Sequence, residues 1–189
     1  MIVAVCAAAL AIDGFALVWR ARPAGADSTP SAHAARTCGP TSLLPRRANV
    51  QLIARITLCL INRQRAAHGL APLHANGPLS RAARGHSQDM VARGYFSHYT
   101  PEGASPFARI LRAGYTARRR ACAMGENIAA GTGPLSTPAS IVRMWMNSPG
   151  HRENILSPAY RDTGVGVAFG YPGARGRGAT YTEDFGAHC

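Results

Sequence analysis

At 189 residues, the chain has room for one ordinary domain and a tail, not for two domains. An apolar fraction of 47% supports a buried core and excludes a disordered chain. All 21 basic residues are Arg and they face nine acids, so the formal charge is +12. That excess favours anionic surfaces such as phospholipid headgroups or acidic polymers, with a plain solvated exterior as the simpler alternative. The Arg residues are scattered rather than gathered in one stripe, which argues against nucleic acid.

In chain order, the first 19 residues are apolar apart from Asp13, and Arg20, Arg22 and Ala24-Gly25-Ala26 follow. Residues 1–26 therefore read as a secretory signal with an A-x-A-like site. No basic residue precedes the apolar run, and its length approaches the ~20 residues of a span, so a retained membrane anchor is the alternative. Residues 27–49, rich in Ser, Pro, Ala and Thr without apolar periodicity, read as a flexible linker or tail. The folded domain is expected over 50–189.

From Gln51 to His68, the residues Leu52, Ile53, Ile56, Leu60 and Ile61 recur at helical spacing, with Gly69 as the stop. A second helix is expected from Pro78 to Arg93, where Leu79, Ala82, Ala83, His86 and Met90 share one face. Ser105-Pro106 and Thr137-Pro138 each pair a cap with a first-turn proline, and so open two further helices. The later one is expected to stop at Ser148-Pro149-Gly150. Met124 to Ala129 reads as a short strand. Val165, Val167 and Phe169 alternate with small residues, and Thr180 to Phe185 reads as the return strand of a hairpin with a long connection. Helices first and paired strands last, with no βαβ alternation, give the α+β class.

Beyond the N-terminal segment lie Cys38, Cys59, Cys122 and Cys189, an even number that suggests two disulfides among three connectivities. Cys38 with Cys59 and Cys122 with Cys189 is the preferred pairing. The first would tie the tail to the first helix, and the second would pin the last residue to the body.

Six segments in one order carry a resemblance. They are Asn62-Arg63-Gln64-Arg65 running into His68-Gly69-Leu70; His86-Ser87-Gln88-Asp89-Met90; Tyr95-Phe96-Ser97-His98; Gly125-Glu126-Asn127-Ile128-Ala129; Trp145 through Arg152; and Gly164-Val165-Gly166-Val167. Together they resemble the CAP superfamily of cysteine-rich secretory proteins, antigen 5 and pathogenesis-related class 1 proteins, in its bacterial SCP-like extracellular branch. The resemblance covers roughly residues 55–187 and implies an α-β-α sandwich with a small antiparallel sheet between helical layers. It also implies a secreted, extracellular or envelope-attached protein.

In animal and plant members, two His and two Glu line a cleft. By motif position, His98 and His151 match the His pair and Glu126 matches the first Glu. The second Glu falls three residues after the helix Trp, where this chain has Ser148. Two neutral imidazoles and a carboxylate can bind a divalent metal such as Zn²⁺. The same three groups can equally hold a proton network or an architectural hydrogen-bonded cluster. Three functions follow from the resemblance and the cluster. The first is a non-enzymatic ligand-binding or interaction module, with lipid or sterol as the implied ligand class. The second is a metal-assisted protease or cell-wall hydrolase, and the third a structural envelope protein. The missing second carboxylate weighs against the hydrolase. His86, on an apolar helix face, reads as a satisfied core histidine.

Overall fold

The structure is a computed structural model that describes residues 37–116 and 121–189. The expected signal or anchor, residues 1–26, lies outside the described residues. Those between 37 and 49 run along the first helix. A disulfide joins Cys38 to Cys59, Leu43 packs on the core, and a 3-10 turn spans Arg47–Asn49.

Helix α1 (Val50–Ala67) buries Ile53, Ile56 and Ile61 along one stripe, and Gly69 closes it at φ 70°. The expected member Leu52 lies outside that stripe and is exposed. A two-residue strand β1 (His74–Ala75) follows, too short for periodicity to reveal. Asn76 caps α2 (Gly77–Arg93) by accepting from Leu79 N, and Gly94 ends it in the left-handed region. The Ser105 and Thr137 caps form as expected, opening α3 (Pro106–Arg112) and α4 (Pro138–Asn147). Strand β2 (Ala121–Gly131) is longer at both ends than the expected segment.

Two expectations are corrected. Ser148-Pro149-Gly150 does end α4, but Pro149 is also the first residue of another helix, α5 (Pro149–Leu156). The proline needs no amide partner at that position, so a stop signal doubles as a start. The terminal hairpin also has no long connection. Strands β3 (Asp162–Tyr171) and β4 (Ala174–His188) pair from Tyr171↔Ala174 onward across a turn at Pro172-Gly173.

The sheet order is β1-β3-β4-β2, with β1 parallel to β3 and the other neighbours antiparallel. α1, α4 and α5 cover one face, where Ile53, Ile141, Trp145, Val165, Val167 and Phe185 share the main core. α2 and α3 cover the other, around Leu79, Ala82, Ile110 and Tyr115. The Gly-Val-Gly-Val run serves both faces of β3. Val165 and Val167 fill the core, whereas a Cβ on Gly164 or Gly166 would lie 2.1 Å from the α2 backbone at Ser80 N or Arg84 N. Only glycine lets α2 sit on the strand backbone.

Trp145, fully buried, donates from Nε1 to the Ile128 carbonyl at 3.1 Å and so ties α4 to β2. Trp145→Phe removes that donor and shrinks the side chain. A loss of about 2 kcal/mol is expected, which thermal denaturation would record as a fall in Tm of roughly 4–8 °C. An unchanged Tm would show that the indole bond contributes nothing.

Cys189 is disulfide-bonded, and Ala121 stands in register with His188 beside it. The side chain of its expected partner, Cys122, lies outside the described residues.

Candidate functional site

The site is assembled at the β2 edge of the sheet from four separate elements. Glu126 projects from β2, directly opposite Asp184 on β4. Its side chain is only 2% exposed, so its charge has to be met inside the protein. Two groups meet it. His98 Nδ1 lies 2.7 Å from Oε1, and Arg109 Nη2 donates to Oε2 at 2.6 Å.

Arg109 organises more than the carboxylate. Its Nη1 also donates to the carbonyls of His98 (2.8 Å) and Ala104 (3.0 Å), fixing the loop between α2 and α3. A second anchor comes from His86, whose Nε2 pairs with the Ser97 carbonyl at 2.9 Å. His86 is buried, and burial above all pushes its pKa down, so the neutral ring donates to that carbonyl. It is the satisfied core histidine its sequence context suggested, and it holds the residue before His98.

On the other side, α5 delivers His151. Asn127 Nδ2 donates to the His151 carbonyl at 3.1 Å, and Asn154 Nδ2 donates to Asn127 Oδ1 at 2.9 Å. These two amides latch α5 to β2. Burial first and the neighbouring His98 second lower the pKa of His151. His151 Nδ1 is buried without a hydrogen-bond partner.

His98 and Glu126 therefore meet, His151 is tied beside them through its carbonyl on Asn127, and the site opens to solvent at His98, whose side chain is 42% exposed. Ser148 stands apart. It joins α4 to α5 through its backbone, its N–H donating to Trp145 O and its carbonyl accepting from Arg152 N. Among the described residues its hydroxyl bonds to none of the three.

His98 Nδ1 is engaged by Glu126 Oε1, and among the described residues its Nε2 makes no hydrogen bond. The chemistry on offer is one exposed imidazole, a second imidazole on α5 whose Nδ1 is buried, and a carboxylate already bonded on both oxygens. Among the described residues, no group of three or more His, Cys, Asp or Glu side chains is arranged to hold a metal ion. Two imidazoles remain as donors; Glu126 would have to leave Arg109 or His98 to become a third.

Arg109, Asp184 and Asn154 escaped the sequence reading. Arg109 is one Arg among 21, and only its helix position on α3 distinguishes it. Asp184 became visible only through strand register. Burial, then the charge of Glu126, pushes its carboxyl well above the usual range. At 1% exposure it cannot supply a second carboxylate to the cleft.

Comparison with known proteins shows the family and the fold. The family model described as "CAP: Cysteine-rich secretory protein family" matches residues 58–183, and the chain belongs to that family. It is 43% identical over 107 residues to the uncharacterized protein YkwD of Bacillus subtilis, covering 57% of this chain and 39% of that protein. It is 38% identical over 128 residues to the uncharacterized membrane protein YlbC of the same organism, covering 68% of this chain and 32% of YlbC. Among solved structures, it is similar to an extracellular protein containing an SCP domain from Bacillus anthracis. There the TM-score is 0.57 at 32% identity, covering 73% of this chain and 40% of that one. The chain thus spans well under half the length of these relatives. The four-stranded sheet between helical layers is the CAP α-β-α sandwich.

Proposed function

We propose that this chain is an exported, non-enzymatic binding module whose ligand is recognised at His98 in the cleft. The observation that carries the reading is the saturation of Glu126 by His98 and Arg109. A carboxylate fixed on both oxygens is a poor general base, and Ser148 stands where a second acid would be needed. What the site does offer is an exposed imidazole on a loop that carries exposed Phe96 and Tyr99 and leads into α3, where Phe107 and Leu111 are exposed as well. A ligand with an apolar body for these side chains and a polar head for the imidazole is a lipid or sterol, and the basic exterior favours anionic membrane. The similarity to an extracellular SCP-domain protein supports export, and the similarity to a membrane protein supports attachment to the envelope.

Flotation with phosphatidylglycerol vesicles at low salt tests this. Wild type is expected to float, and Phe96→Ser combined with Phe107→Ser to reduce the floated fraction at least fivefold. No flotation of wild type, or turnover of casein or peptidoglycan, overturns the reading.

One observation favours a second reading, binding of a divalent metal at the imidazole pair: the buried, unpartnered Nδ1 of neutral His151. Its signature would be a rise in Tm on adding ZnCl₂ that His98→Ala abolishes.

A further inference from the structure

At the opposite edge of the sheet from the cleft, β3 is left largely uncovered. β1 pairs with it only at Asp162 and Thr163, yet β3 continues to Tyr171 with β4 on its other side alone. Asn76 N donates to the Thr163 carbonyl, which fixes the direction in which odd-numbered residues of β3 present their backbone groups. By strand alternation, the N–H and C=O groups of Val165, Val167 and Phe169 point to the same open side. No strand among the described residues pairs with them there.

Two depressions lie end to end along this edge. One of about 120 Å³ sits between α1 and α2 and is flanked by Arg55 and Arg84. The next, of about 400 Å³, includes Arg47, whose guanidinium rests 5.7 Å over the Phe169 ring. Among the described residues, no Asp or Glu lines either depression. Arg47, Arg55 and Arg84 form no ion pair among the described residues. The groove is therefore basic on both walls and has a row of backbone donors and acceptors as its floor.

We infer that this groove binds an extended acidic polypeptide segment, which adds to the sheet as a strand beside β3. The ladder accounts for the backbone groups, and the flanking Arg residues choose the partner by charge. A span from Val165 to Phe169 pairs with about five partner residues at ~3.3 Å each. Side chains of either parity along such a strand meet an Arg wall, α1 with Arg55 on one side and α2 with Arg84 on the other. A second copy of this chain is a poor occupant, because it carries nine acids against 21 Arg residues. Cationic walls of this kind also discourage pairing between like edges. A dissolved anion or a vesicle would meet the Arg residues and leave the donors and acceptors unused.

The test uses the full chain and a fluorescein-labelled ten-residue peptide of alternating Glu and Thr, followed by anisotropy at low salt. A second peptide of the same sequence has its central four amides N-methylated, so it keeps the charge and cannot form the ladder. The unmodified peptide is expected to bind at least tenfold more tightly than the methylated one. Arg55→Glu combined with Arg84→Glu should weaken the unmodified peptide at least tenfold, with the protein still monomeric by size exclusion. Should the double variant fail to fold, Arg55→Glu alone, at an exposed position, carries the charge comparison. Equal affinity for the two peptides reduces the groove to a charged surface and overturns the inference. So does absence of binding, or binding indifferent to the Arg substitutions.

Discussion

Replacing Arg109 with Met is expected to lower Tm by about 10 °C or more at pH 7. The Arg109 side chain is 10% exposed and Glu126 2%, so removing the cation strands a buried carboxylate rather than a solvated one. Breaking one partner of such a pair costs about 3–5 kcal/mol, and for a domain of this size each kcal/mol moves Tm by roughly 2–4 °C. The bonds to the His98 and Ala104 carbonyls go as well, so the loop that presents His98 loosens. Glu126→Gln should be milder, because Arg109 keeps both carbonyls and some solvent. Adding Glu126→Gln to Arg109→Met should recover part of the loss, since no buried charge is then left unpaired. Circular dichroism melts of the three variants decide it. A Tm for Arg109→Met within about 2 °C of wild type would mean that the pair is not what holds the cleft.

The same residue shows where sequence reasoning stopped. Local signals carried the helices: Ser105 and Thr137 cap as their Ser-Pro and Thr-Pro dipeptides suggest, and Gly94 ends α2 in the left-handed region. Cys38 and Cys59 pair as preferred, across a separation of 21 residues. His98, Glu126 and His151 were legible because each sits inside a recognisable motif. What holds them was not. Arg109 has no motif, and Asn154 matters only because α5 exists, a helix hidden behind a Ser-Pro-Gly stop signal. Asp184 and Glu183 are adjacent acids in a strand, so pleat alternation sends them to opposite faces of the sheet. Both faces are covered by helices. Two neighbouring acids are thus both buried, a consequence of layer architecture that no local pattern encodes.

Those two layers also separate the proposed functions. The cleft gathers around β2, and the basic groove follows β3, with β4 between them. A ligand at His98 and a strand beside Val167 would touch different helices and different loops. Substitutions in one place should leave binding at the other intact.

Glu183 makes the second large prediction, a loss of stability as pH rises. It is completely buried, and its pKa is pushed up to about 8, chiefly by desolvation. Arg65, facing it from α1, opposes that shift without forming an ion pair. The Arg65 guanidinium is spent on carbonyls, with Nε on Ala71 and Nη1 on Ile155 and Ser157. The other near partner, Thr163, has one hydroxyl proton, and its Oγ1 lies 3.0 Å from the Asp184 carbonyl and 3.1 Å from Glu183 Oε1. A neutral Glu183 completes that count: it donates to Thr163, which donates to the carbonyl. The folded state therefore binds the proton more tightly than the unfolded chain, whose glutamate titrates near 4.5. Stability from this group is complete below about pH 4.5, falls as pH rises, and is gone above about pH 8. Glu183→Gln keeps the amide donor for Thr163 and removes the titration. The difference in unfolding free energy between variant and wild type should thus be flat below pH 4.5. It should then grow by roughly 3–5 kcal/mol in favour of the variant between pH 4.5 and 9. Urea titrations across that range measure it. A difference that stays constant with pH would mean Glu183 is already ionised in the folded protein, and that Arg65 reaches it after all.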